Sequence, residues 1–110
     1  MKKIVLIDGV DTFQTVGAPT MHLGRPNMVE DEVAKRLLSL RCQSGPMFVE
    51  FSELDHRRVP IRLVDPTRDF RNAAICAMGR QVIEVSASIA PYLLRMKKDG
   101  SQVFESVANE

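Results

Sequence analysis

A chain of 110 residues is long enough for one compact domain with a continuous core and too short for two independent domains of ordinary size. Its 45% hydrophobic and 26% charged residues are a globular composition, neither a disordered tail nor a fibre. Fifteen Lys+Arg against 14 Asp+Glu leave a formal charge of +1, so no global field draws the chain to nucleic acid or an anionic membrane. The charge is uneven: residues 1–55 hold six basic and eight acidic side chains and the remainder nine and six, −2 against +3, a mild polarity of the kind a head-to-tail contact uses.

In chain order, residues 3–7 are a β-branched run closed by Asp8-Gly9, a strand ended by a turn. Residues 20–23, bracketed by Gly17, Pro19, Gly24 and Pro26, form a second candidate strand. From 31 to 41, Val33, Leu37 and Leu40 recur on one face with Ala34 and Leu38 beside them, which is helical spacing. Asp31 is the expected N-cap, and Glu32 adds negative charge where the helix dipole favours it. Gly45-Pro46 breaks the chain, and residues 47–51 alternate as a strand.

The second half runs the same scheme: a strand over 59–64, another over 81–85, a helix over 89–97 and a closing strand over 102–105. Ser88 is the expected N-cap, because Pro91 is tolerated only where its missing N–H has no intrahelical partner. Residues 65–79 set two principles against each other. Asp65-Pro66, an Ala-rich body and Gly79 spell a helix, whereas the counterpart 13–23 is too rich in Gly, Pro and Thr to be one. Propensity is the weaker guide, so 73–77 is read as extended.

Internal similarity explains that scheme. Ile4-Val5-Leu6-Ile7-Asp8 returns as Ile61-Arg62-Leu63-Val64-Asp65, with Phe13 and Phe70 each five residues after the Asp, at an offset of 57. Val33-Ala34-Lys35-Arg36-Leu37-Leu38 returns as Ile89-Ala90-Pro91-Tyr92-Leu93-Leu94 at 56, and Gly45 with Phe48-Val49-Glu50 aligns to Gly100 with Val103-Phe104-Glu105 at 55. Collinear blocks of this kind point to a duplicated unit. The expected fold is therefore α+β: two tandem divergent β-β-α-β units, 1–54 and 58–107, sharing one core in a single pseudo-twofold domain over 1–110.

Few residues carry a chemical signature. Cys42 and Cys76 are far apart, lack CxxC spacing and read as free thiols. His22 and His56 have no second ligand at metal-binding spacing, so no metal or other cofactor is expected. Asp55-His56-Arg57-Arg58 falls at the junction of the units and reads as a solvated linker. Asp8-Gly9-Val10-Asp11 has the letters of a Mg²⁺-binding strand end and equally those of an Asp-Gly turn. No phosphate loop, nucleophile elbow or paired-carboxylate motif is present, and a non-enzymatic protein is expected. The short apolar run after Met1-Lys2-Lys3 is interrupted by Asp8, far short of a signal-peptide core, and no run approaches membrane-spanning length, so no membrane partner is expected.

The lysine-led first strand, the Gly/Pro-punctuated hairpin and Val29-Glu30-Asp31-Glu32-Val33-Ala34-Lys35-Arg36-Leu37-Leu38 together resemble small virion proteins of tailed bacteriophages, in which a hairpin leads into a V-x-D-E-V-A-x-x-L-L helix. The resemblance covers about residues 1–50 and returns at 85–94, where Ser88 and Pro91 depart from it. It implies a capsid-decorating or head–tail structural role, with partners among other virion proteins, such as the major capsid protein, or further copies of the chain. It also implies location in the virion and, before assembly, in the host cytoplasm. Edge strands are the expected contacts, through Met47, Val49, Phe51, Gln102 and Phe104. An alternative is a small regulatory module binding nucleic acid through Arg57, Arg58, Arg62, Arg68, Arg71 and Arg80.

Overall fold

The computed structural model describes residues 1–71 and 75–107. The fold is α+β, with antiparallel strands and two short helices, and the chain divides into two compact units, Met1–Leu54 and Asp55–Glu110.

In the first unit, β1 (Lys2–Leu6) is the central strand of a three-stranded sheet, flanked by β4 (Pro26–Val29) and β7 (Phe48–Glu50). Ile4, Val5 and Leu6 are all fully buried, so this strand is covered on both faces; hence its continuous apolar run rather than alternation. Between β1 and β4 lies the hairpin of β2 (Thr12–Phe13) and β3 (Met21–His22). Helix α1 (Asp31–Leu38) packs Ala34 and Leu37 inward against β1 and β7. A second hairpin, β5 (Arg41–Cys42) with β6 (Gly45–Pro46), leads into β7, and a 3₁₀ turn over Phe51–Glu53 closes the unit.

The second unit has β8 (Arg58–Leu63) at the centre of its sheet between β11 (Ile83–Ser86) and β14 (Phe104–Ser106). A hairpin of β9 (Asp69–Arg71) and β10 (Cys76–Met78) precedes β11. Helix α2 (Ala90–Arg95) packs against β14, and the hairpin of β12 (Lys97–Lys98) with β13 (Ser101–Gln102) precedes that strand. Here β8 does alternate, with Ile61 and Leu63 buried and Arg62 between them exposed. The described part of 65–79 is thus a turn followed by the two paired strands β9 and β10; residues 72–74, which overlap the stretch read as extended, lie outside the described residues.

Equivalent positions can be read from the registers. Phe48 lies opposite Leu6 and Phe104 opposite Leu63; Val29 lies opposite Lys2 and Val85 opposite Val59. Each ring then meets a partner from the preceding hairpin edge-on: Phe13 to Phe48 at 5.3 Å and Phe70 to Phe104 at 5.1 Å between centroids. Set side by side, these registers align Phe48 with Phe104 at a spacing of 56, where the sequence comparison expected 55 for the last block.

Other corrections concern element ends. Helix α1 ends at Leu38 and α2 at Arg95, short of the expected 41 and 97, because the Leu40 carbonyl accepts the Met47 N–H and the Met96 carbonyl accepts the Val103 N–H, both at 3.2 Å. Those bonds turn the chain into β5 and β12, so cross-strand pairing takes residues that the apolar stripe assigned to a helix. Asp31 is not the cap: Glu30 holds that position with no side-chain bond, and the Asp31 carboxylate pairs with the Met1 ammonium at 3.2 Å. Likewise Ile89 occupies the cap of α2, while the Ser88 hydroxyl accepts the Asp55 N–H at 2.9 Å. Pro91 sits in the first turn, as its missing N–H requires.

Candidate functional site

Each unit ends its sheet in an edge strand. Among the described residues β7 pairs with β1 alone and β14 with β8 alone. The border of β7 is polar: Lys2 Nζ lies 2.8 Å from Glu50 Oε1, and Lys3 Nζ sits 4.4 Å above the Phe51 ring. The Glu50 carboxylate raises the Lys2 pKa by accepting its hydrogen bond and by its charge. On β14, Arg62 Nε donates to Glu105 Oε1 at 2.6 Å across the strand pair.

The five expected contact residues separate. Val49 and Phe51 are half-buried on or beside β7, and Met47 is half-buried at the bend before it. Phe104 is fully buried, so its ring belongs to the core of its unit and is no surface contact. Gln102 is exposed but lies on the separate strand β13, because the expected strand 102–105 breaks at Val103. There the Val103 carbonyl accepts the Val64 N–H at 3.0 Å, and its own N–H donates to the Met96 carbonyl.

The six arginines do not present one cationic face. Arg57 clasps Asp55 through Nη2 at 2.6 Å, Nε at 3.0 Å and its backbone N–H at 3.1 Å. Those bonds hold the Asp55 carboxyl down to about 2. Arg62 is engaged by Glu105, Arg68 pairs with Asp65 at 3.3 Å, and Arg71 Nη2 lies 3.4 Å from the Met78 sulfur. Arg58 and Arg80 are exposed, and neither has an ion-pair partner among the described residues. A guanidinium already neutralised by a carboxylate releases less counterion on meeting a phosphate, so the set is weaker than its count suggests.

Asp55 also anchors the start of the second unit, its carbonyl accepting the Ser86 hydroxyl while its N–H goes to Ser88. The segment read as a solvated linker is thus a clip that fastens residue 55 to the loop between β11 and α2. Asp8 behaves as a turn carboxylate: it accepts the Gly9 N–H at 2.8 Å and the Ser44 hydroxyl at 2.9 Å. Among the described residues no group of three or more His, Cys, Asp or Glu is placed to hold a metal ion, and no helix is long and apolar enough to cross a membrane. Cys42 and Cys76 are free thiols.

One feature escaped sequence reasoning. In the second unit a cleft of about 410 Å³ opens between the loop after β8 and the β12–β13 hairpin. Leu63, Phe70, Met96 and Val103 give it an apolar lining, and the charged residues Asp65, Arg68, Asp69, Lys97 and Lys98 line it as well. The signal was present in the mismatch of Met47 with Val103 and of Gly9 with Pro66, but an alignment at 55 hides the first of these.

No family model matches the chain, and no curated protein or solved structure matches it.

Proposed function

We propose that the chain is a non-enzymatic structural protein of a tailed-phage virion, decorating the capsid or joining head to tail, and that it works through protein–protein contacts without a cofactor. The finer architecture belongs to the same reading: one β-β-α-β unit, elaborated by two hairpins, encoded twice in tandem. The observation that carries it is the recurrence in each unit of a central strand, a helix and a terminal edge strand in the same order, with Phe48 and Phe104 in matching registers. Two similar edges on one chain suit contacts with quasi-equivalent neighbours, since unpaired edge backbone can extend a partner's sheet.

Mass spectrometry of purified particles from the source phage tests this directly: the chain should copurify at a fixed ratio to the major capsid protein, and its absence from particles refutes the proposal. The nucleic-acid reading rests on Arg58 and Arg80, the two guanidiniums of the six without a protein partner among the described residues. A gel-shift series in salt decides it, because phosphate binding must weaken steeply as salt rises.

A further inference from the structure

The cleft of the second unit has a filled counterpart in the first. At the equivalent place, between the loop after β1 and the β5–β6 hairpin, the Met47 side chain and Cys42 both lie against Gly9. A Cβ added at Gly9 would stand 3.0 Å from Met47 Cε, 3.3 Å from Met47 Cγ and 3.4 Å from Cys42 Cβ. Ser44 bridges from the hairpin to the loop through Asp8 at 2.9 Å and closes this side. The first unit thus plugs its own cleft with an unbranched thioether chain and latches it with a hydroxyl.

Neither device is present in the second unit. By the registers, Val103 stands where Met47 does, with a shorter reach, and Gly100 stands where Ser44 does. Gly100 has φ +79°, and a methyl group placed on it would meet nothing within 4 Å, so no latch is possible there. The Asp65 carboxylate, counterpart of Asp8, turns to the Thr67 N–H at 2.9 Å, the Thr67 hydroxyl at 2.6 Å and Arg68. What remains is a slot with apolar walls whose charged lining, beyond the paired Asp65 and Arg68, is Asp69, Lys97 and Lys98, none of which has an ion-pair partner among the described residues. Its volume of about 410 Å³ falls in the usual range for bound ligands and takes an apolar side chain together with its flanking residues.

We infer that this cleft is the docking site for a segment of a partner protein that inserts an unbranched apolar side chain, such as methionine, next to acidic residues that meet Lys97 and Lys98. The inference rests on the reading of the chain as a protein-contact module and names the partner chemistry. Met47 supplies the argument for the inserted group, since the same fold accepts that side chain at the matching place. Two unpaired lysines against one unpaired carboxylate, Asp69, leave the lining net positive and supply the argument for the acidic flanking residues.

Amide NMR of the full chain, titrated with the peptide acetyl-Glu-Met-Glu-amide, tests it. Saturable shifts are expected at Val64, Phe70 and residues 97–103, with affinity falling about tenfold or more for the Glu-Ala-Glu and Lys-Met-Lys peptides. Val103→Met should fill the slot as Met47 does, abolish binding and leave the spectrum of the first unit unchanged. Lys97→Glu with Lys98→Glu, both exposed, should weaken binding without loss of fold. Absence of shifts, equal binding of the alanine peptide, or unchanged binding by Val103→Met overturns the inference. So does tighter binding of octanoate than of the peptide, which would make the ligand a free amphiphile. Presence in purified particles is judged separately, so a virion protein with an inert cleft sinks this inference and leaves the proposed function standing.

Discussion

Replacing Phe104 by leucine distinguishes a core ring from a contact ring. Phe104 is fully buried and meets Phe70 edge-on at 5.1 Å, an arrangement worth about 0.5–1.5 kcal/mol beyond burial. Leucine keeps most of the apolar contact but loses that geometry and leaves a small void, so a cost of about 1–2 kcal/mol is expected. Alanine would remove about 3–5 kcal/mol, a large share of the roughly 5–15 kcal/mol that holds a domain of this size together, and so risks unfolding the chain. With a urea m-value of about 2 kcal/mol/M, the middle of the usual range for small domains, the leucine variant should lower the midpoint of unfolding by about 0.5–1 M, followed by circular dichroism. Phe48→Leu, which breaks the matching pair with Phe13, should cost a similar amount. A midpoint unmoved by Phe104→Leu would refute the assignment of this ring to the interior and restore it as a surface contact.

Gly9→Ala should destabilise more than Gly100→Ala: both backbones are left-handed, at φ +92° and +79°, but only the methyl at 9 meets Met47. The strain alone costs about 1–2 kcal/mol, and comparison of the two urea midpoints reads the steric part. The lowered Asp55 pKa gives stability that is complete above its ordinary value of 3.8 and lost as pH falls through about 2. Asp55→Asn should therefore flatten the acid limb of a thermal-melting profile between about pH 4 and pH 2, and an unchanged limb would show that the Arg57 clasp adds nothing. If the chain retards DNA in gel shifts, Arg58→Ala with Arg80→Ala should weaken that retardation at low salt and flatten its salt dependence, and retardation unchanged by the double variant would refute the nucleic-acid reading based on these two residues.

Apolar patterning made much of the fold legible. The central strands, both helices and the place of Pro91 follow from local chemistry, because a buried strand or helix face must be written in residues close together in sequence. The short hairpins at 12–22, 41–46 and 97–102 were only partly legible, since strands of two or three residues are held by cross-strand partners rather than by propensity. Helix caps were misplaced for a related reason: Ser88 and Asp31 have the right side chains, but each is claimed by a partner distant in sequence.

The candidate site divides in the same way. Sequence by itself pointed to an α+β fold, with strands over 47–51 and 102–105 and a basic second half, because apolar period and charge are written residue by residue. Tertiary structure alone decided which arginines are already neutralised, that Phe104 is buried, that Met47 packs on Gly9 and that Val103 lines a cleft. Those outcomes depend on which side chains meet across a turn or a strand pair, and no local pattern encodes a meeting between residues far apart in the chain.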